Sequence, residues 1–250
     1  MLINPAMMLL LPLLVLLLLC SSVSSFGSNP EQKTRIKICH NKDCCKKGGG
    51  ENLLNTFRDL IPSDNNHLII ESTGCLSQCG KGPNVCVVNK NGGDEKIYYN
   101  IKDALDASAV MEVATPEVEY PIELLVAAST IYQAEHTLSS IKKEELMTSV
   151  ITDLSQNPNS ALLTTTYAMY HALTLRADAR LDTNNVDGAI EDARLASKIL
   201  PSEGKVWRIL AHAEEQRGSF DGAIVAFREL AKADPSYATK AKKEIERLSS

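Results

Sequence analysis

Short apolar runs with the period of a β-strand occur at four places between residues 35 and 113. Ile36 and Ile38 alternate with polar neighbours and predict a first strand over 35–40. The other strands are predicted over 67–71, 85–89 and 96–101. Helices, where apolar residues recur at helical spacing, are predicted over 51–60 and 102–111. The Asn-Gly-Gly-Asp sequence at 91–94 predicts a hairpin turn between the third and fourth strands, so the element order is β-α-β followed by β-β-α.

From about Pro116 onward the strand pattern ends and every segment has the period of an α-helix. Helices are predicted over 122–139, 142–155, 160–182, 186–200, 204–217, 220–233 and 237–248. Part of this region repeats itself, because Ala189 and Ala223 are 34 residues apart in matching segments, and so are Pro201 and Pro235. Such a period indicates a stack of helix pairs.

The repeat resembles the tetratricopeptide (TPR) motif over 170–203 and 204–237, with Trp207 at its aromatic position and Ala211 at its small position. The resemblance implies an all-α TPR-like helical domain over 114–250, whose groove binds protein partners. The groove positions that it implies are His171, Thr174, Asp178, Lys205, Arg208 and His212. The cations of the second repeat suit an acidic or carboxylate-bearing partner segment.

Four cysteines occur as two short pairs, each after a predicted strand. Cys39 and Cys44 have the spacing C-x4-C, and Cys75 and Cys79 have the spacing C-x3-C. Loops that follow two strands can bring two thiolate pairs to one metal centre. A [2Fe–2S] cluster needs four thiolates in this arrangement. A zinc site with four cysteine ligands and a set of disulfide bonds are the alternatives.

Residues 35–113 resemble the thioredoxin-like [2Fe–2S] ferredoxins and the small iron–sulfur subunit of the NADH dehydrogenase flavoprotein module, most specifically over 74–88. The resemblance implies an α/β thioredoxin-like domain, with a mixed four-stranded sheet and helices. It also implies a [2Fe–2S] cluster as the cofactor. The ligands that it implies are Cys39, Cys44, Cys75 and Cys79.

Other residues near the two pairs are expected to have structural roles. Cys45 is an alternative to Cys44 as a ligand, and Cys86 is expected to be a small buried side chain. Gly74, Gly80 and Gly82 can take positive φ angles and so let backbone amides approach sulfur. No C-x-x-C pair occurs in the sequence, so dithiol exchange of the thioredoxin type is not expected.

The charge balance is acidic, with 31 Asp and Glu against 26 Lys and Arg and a sequence pI of about 5.6. This balance, without a basic run, argues against nucleic acid as a partner. The sequence contains no zinc-protease motif, no phosphate-binding loop and no Ser–His–Asp pattern. Catalytic activity is therefore not expected.

An apolar run over 6–20, followed by small residues, predicts a signal peptide or presequence over 1–25. Phe26 then begins a linker or short transit segment over 26–34, which resembles the bipartite presequence of proteins sent to a complex plastid. The alternative destination is the secretory pathway, where thiols pair as disulfides. No integral membrane span is expected in the mature chain.

Together, the two resemblances indicate an iron–sulfur electron-transfer or redox-sensing protein that a TPR domain tethers to its partners. The alternative is a TPR scaffold or assembly factor for a plastid protein complex, with a structural thioredoxin-like domain. Both functions are inferred from the fold by analogy.

Overall fold

A computed structural model describes residues 33–249, apart from 64, 66 and 91–93. The described residues belong to one unit defined by their contacts. The predicted presequence over 1–25, most of the segment 26–34 and turn residues 91–93 lie outside the described residues. No helix within the described ranges is long and apolar enough to span a bilayer.

A mixed four-stranded sheet forms the N-terminal part of the described chain. Its strands are β1 (Thr34–Cys39), β2 (Leu68–Thr73), β3 (Asn84–Val88) and β4 (Glu95–Tyr99). They lie in the order β2-β1-β3-β4, with β1 parallel to β2 and antiparallel to β3, and with β4 antiparallel to β3. The predicted strands and the mixed sheet are confirmed, with strand ends that differ by one or two residues.

A mostly helical region follows the sheet, as predicted. The helices in the described ranges are α1 (Lys42–Cys45), α2 (Glu51–Asp59), α3 (Ala104–Ala114), α4 (Ile122–Glu135), α5 (Ser140–Gln156), α6 (Ser160–Leu163), α7 (Tyr167–Asp182), α8 (Val186–Ile199), α9 (Gly204–Gln216), α10 (Phe220–Ala233) and α11 (Ala238–Leu248). Helices α1 and α2 connect β1 to β2, and α3 follows β4. The remaining helices make up the C-terminal region.

Helix α1 was not predicted, and α3, predicted over 102–111, ends at Ala114. The C-terminal helices also differ from the prediction over 160–182 and 122–139. The single helix predicted over 160–182 is two helices, because the hydroxyl groups of residues 164–166 bond to carbonyls of the preceding turn. The helix predicted over 122–139 ends earlier, at Glu135. The next helix begins two residues earlier than predicted, since the hydroxyl of Ser139 caps its first turn.

Apolar side chains form two cores, one against the sheet and one among the helices. Ile36 and Ile38 of β1 and Phe57 of α2 have no exposed surface in the first core. Burial of each such side chain contributes about 2 kcal/mol. In the second core Ala177 and Ala211 are fully buried, so that neighbouring helices can approach closely.

Helix α2 joins the sheet to the helical region. It packs against β2 and α3 and also against α4 and α7. The hydroxyl of Tyr167 in α7 donates a hydrogen bond of 2.8 Å to Asn55 Oδ1 in α2. The guanidinium carbon of Arg58 lies 5.4 Å from the centre of the Tyr167 ring. Helix α2 therefore packs on the sheet and is also in direct contact with α7 of the helical region.

Candidate metal centre

The first thiol pair is buried where β1 ends. Cys39 is the last residue of β1 and Cys44 lies in α1, and neither is more than 1% exposed. Helix α1 begins here because Asn41 caps it, with Oδ1 accepting from the Asp43 backbone N–H at 3.1 Å. Burial raises the pKa of Cys44 to about 11, together with the hydrogen bond and charge of Cys39, while the backbone amide of Asn84 opposes the rise.

The second thiol pair lies on the loop after β2. Cys75 Sγ and Cys79 Sγ are 3.5 Å apart, and Cys79 begins a short 3₁₀ helix that ends at Lys81. Ser77, between them, has a φ of 60°, and its N–H donates to Cys75 Sγ at 3.3 Å. The hydrogen bond with Cys75 raises the pKa of Cys79, and desolvation adds to the rise. This pair is more exposed than the first.

The two pairs meet at one end of the sheet because β1 and β2 are adjacent and parallel. Cys39 is in register with Thr73, so both loops leave the sheet from the same end. Cys79 is close enough for the charges of Cys39 and Cys44 to interact with it. The structure thus places both thiol pairs at the same end of the sheet.

Two glycines allow the chain to pass close to Cys44. A Cβ atom at Gly82 would lie 2.8 Å from Cys44 Sγ, and one at Gly49 would lie 2.8 Å from the Cys44 carbonyl oxygen. Both distances are shorter than any normal contact of a Cβ atom. The peptide bond between Gly82 and Pro83, directly before β3, is cis.

Gly74, Gly80 and Gly82 do not adopt the positive φ angles that glycine can take. The glycines near the site that have positive φ are Gly48 (87°) and Gly50 (73°). Both lie between α1 and α2, where the chain must turn away from the first thiol pair. Gly82 is needed for close approach to sulfur and not for its backbone angle.

Four thiols grouped as two pairs are the donor set of this site. Thiolate sulfur suits both zinc and iron–sulfur clusters. The grouping supplies two thiolates for each iron of a two-iron cluster, so these residues fit such a group by number and chemistry. Within the described ranges, no three or more Cys, His, Asp or Glu side chains are arranged around a single ion position.

The two other cysteines in the described ranges have different surroundings. Cys45 is exposed, and its thiol lies 3.5 Å from the carbonyl oxygen of His40. Cys86 is 2% exposed in β3, opposite Lys37 of β1, and burial raises its pKa. Cys86 therefore lies where a small buried side chain was expected. All six described cysteines are free thiols.

The six residues predicted for the TPR groove fall into two groups. His171 and Thr174 are 2% and 0% exposed and pack inside this chain. The hydroxyl of Thr174 donates to the carbonyl of Tyr170 at 2.7 Å. These two residues therefore present no surface to a partner. The other four reach solvent fully or in part: Asp178, Lys205, Arg208 and His212.

A buried ionisable cluster joins α2, α4 and α7, and the sequence analysis missed it. His171 Nδ1 lies 3.1 and 3.0 Å from the two carboxylate oxygens of Asp59, and His171 Nε2 lies 3.4 Å from Glu135 Oε1. Burial lowers the pKa of His171, but the two carboxylates outweigh burial and raise it to about 9. Burial raises the pKa of Asp59, whereas the charge of His171 lowers it. Since two carboxylates face the imidazole of His171, we assign His171 as protonated and positively charged at neutral pH.

Comparison with family models, with curated proteins and with solved structures gives no match to this chain. The function is therefore assigned from the side chains and their surroundings.

Proposed function

We propose that residues 35–113 form a thioredoxin-like domain that binds a [2Fe–2S] cluster for electron transfer or redox sensing. The observation that carries this proposal is the placement of two thiol pairs after the matching ends of two adjacent parallel strands. The β-α-β and β-β-α order around a mixed sheet supports the thioredoxin-like assignment.

The same proposal makes residues 114–250 a TPR-like domain that tethers the redox domain to protein partners. Successive helices α7 to α10 pack as neighbours, and alanines recur along them at the 34-residue period. Four of these alanines are fully buried: Ala177, Ala189, Ala211 and Ala223. Buried small side chains at this period support a stack of helix pairs.

The residues that would hold the cluster are Cys39, Cys44, Cys75 and Cys79. When bound, a [2Fe–2S] cluster supplies one-electron transfer. Because the ligands bind as thiolates, loading must displace protons from Cys44 and Cys79, whose pKa values are raised. The N–H group of Ser77 donates to Cys75 Sγ and would stabilise the negative charge of that thiolate.

Anaerobic reconstitution with iron and sulfide tests this function. We expect about two irons and two sulfides per chain, visible absorption, and a paramagnetic signal after reduction by one electron. Serine at any of the four ligand positions should remove or destabilise the absorption. Cys45→Ser and Cys86→Ser are the matched controls and should keep it. Stoichiometric zinc without visible absorption would contradict the proposal.

A scaffold or assembly factor is the second candidate function, and the exposed cations of α9 favour it. Lys205 and His212 are exposed and Arg208 is half-buried, so a carboxylate-bearing partner can reach them. Changing Lys205 and Arg208 together to alanine should weaken partner capture and leave the iron content unchanged. A pull-down in which this double variant retains every partner would show that the groove is not the binding surface.

Delivery to a complex plastid is part of the proposal and concerns residues outside the described ranges. A fusion of residues 1–40 to a fluorescent protein should reach the plastid of an alga that has one. Phe26→Ala should stop the fusion before the innermost compartment. Secretion of the unchanged fusion into the medium would instead favour the secretory pathway and disulfide bonds.

A further inference from the structure

A cleft opens directly beside the second thiol pair. Its volume is about 670 Å³, and residues 80–83, which follow Cys79, form one wall. Tyr99 and Asn100 at the end of β4 and Tyr132 of α4 lie on other sides. The cleft is therefore built from parts of the chain that the sequence analysis did not connect.

Three lysines provide all of the charged groups that line this cleft. They are Lys47 after α1, Lys81 in the 3₁₀ helix and Lys102 before α3, and no carboxylate is among the lining residues. Within the described part of the chain, none of the three forms an ion pair. The cleft is thus locally basic on a chain whose net charge is −5.

Contacts within the chain hold two of the three ammonium groups beside the thiol loop. Lys47 Nζ donates to the carbonyl oxygens of Cys79 at 3.3 Å and of Gly80 at 3.2 Å. Lys81 Nζ lies 5.0 Å from the centre of the Tyr99 ring, a cation–π contact. Less side-chain freedom is lost on binding when the cations are already positioned.

The carboxylates that follow Lys102 in the sequence bond to backbone amides and not to the lysine ammonium groups of the cleft. Asp103 accepts hydrogen bonds from two backbone amides of α3, and Asp106 accepts one from the Lys102 backbone amide. Asp43 is not among the lining residues of the cleft and forms no ion pair with the three lysines in the described ranges. The positive charge of the three lysines is therefore available to an external group.

We propose that this basic cleft docks a carboxylate-rich segment on the surface of a redox partner protein. The lining lysines and Tyr99 are exposed, so the cleft suits the surface of another protein better than an enclosed small anion. Complementary charge speeds encounter and fixes orientation between proteins. Because Lys47 contacts the carbonyl of Cys79, a carboxylate docked there lies next to the thiol loop.

This inference rests on the proposed electron-transfer function, since docking at the cleft brings the partner beside the cysteine site. A carboxylate bound at Lys47 and Lys81 flanks the more exposed of the two thiol pairs. The same surface on a chain without a cluster would still bind acidic segments. Binding and cluster loading can therefore be measured independently.

The test is fluorescence anisotropy of a labelled peptide of six glutamates with the purified chain at low salt. A triple variant, Lys47→Gln, Lys81→Gln and Lys102→Gln, should bind at least about tenfold more weakly and depend less on salt. The matched control changes three exposed lysines far along the chain: Lys198→Gln, Lys242→Gln and Lys243→Gln. It removes the same charge and should bind within about twofold of the parent.

Three outcomes would overturn the docking surface. They are an equal loss of affinity in both triple variants, equal binding of a six-glutamine peptide, and full competition by inorganic phosphate at matched ionic strength. The last would make the cleft a small-anion site. Iron content and absorption are measured on the same samples. A chain that loads iron but does not bind the peptide disproves docking alone, whereas lysine-dependent binding without iron disproves only the redox function.

Discussion

Replacing His171 by leucine should destabilise the protein strongly, because it leaves Asp59 buried without its partner. The side chain of Asp59 is 1% exposed, and both of its oxygens lie within 3.1 Å of His171 Nδ1. Removing one partner of a buried ion pair costs roughly 3–5 kcal/mol. Since native domains are stable by about 5–15 kcal/mol, this loss is easily measured by urea unfolding followed by far-ultraviolet circular dichroism.

The double variant Asp59→Leu with His171→Leu separates the ion pair from simple packing. Apolar replacement of a whole buried pair is often neutral, so the double variant should recover most of the loss, with a coupling free energy of about 3 kcal/mol. Glu135 keeps 12% of its side chain exposed and can remain hydrated. If the losses in the free energy of unfolding of the two single variants simply add, the pair does not stabilise the contact between α2 and α7, and the reasoning is wrong.

The same pair predicts how the free energy of unfolding changes with pH. The pKa of His171 is raised in the folded state to about 9, so its contribution is complete below its unfolded value of about 6.5 and is lost as pH rises through about 9. The difference corresponds to at most about 3 kcal/mol. Burial also raises the pKa of Asp59 in the folded state. Ionisation of Asp59 therefore lowers the free energy of unfolding as pH rises, in a lower pH range than His171 does. The His171→Leu variant should lack the loss between pH 7 and 9, and an unchanged profile would contradict the assignment.

Two further variants test the cysteine site and the helical region. Gly82→Ala places a Cβ atom 2.8 Å from Cys44 Sγ, so it should lower the free energy of unfolding by about 1–3 kcal/mol and reduce iron uptake. Gly74→Ala is the control, because its Cβ atom meets nothing within 4 Å, and it should change neither quantity. Asp192→Ala removes a carboxylate that is 1% exposed and binds two arginines of α7. It should lower the free energy of unfolding, measured with urea, by about 3 kcal/mol. The control is the same change at exposed Asp187, which should lower it by less than about 0.5 kcal/mol.

The sheet could be predicted because each strand carries its own signal. The alternation at Ile36 and Ile38 is a local pattern, and the structure buries both side chains completely. Helix ends were predicted less well where side-chain hydroxyls decide them. Thr166 and Ser139 each cap a helix at a point where apolar periodicity shows no break.

The cysteine pairs could also be selected from spacing, since the two members of each pair are only four or five residues apart. The contact between Asp59 and His171 could not, because 112 residues separate the two side chains. A weak signal exists in α2, where Asn55 and Asp59 are one helical turn apart and both are buried. Spacing of this kind indicates a polar contact but does not identify the partner.

In this chain, charged residues with structural roles and those with proposed functional roles have different surroundings. Asp59, Asp192 and Glu214 are buried, and each contacts at least one basic side chain, as the cost of burying a lone charge requires. His171 also has a structural role, although the repeat register predicted that it would contact a partner. Helix α2, which packs on the sheet, covers the part of α7 that carries His171. The three lysines of the basic cleft differ, since they are exposed and clustered, and carbonyl and aromatic contacts hold Lys47 and Lys81 beside the thiol loop. A partner's carboxylates can therefore bind there without displacing any ion pair of the fold.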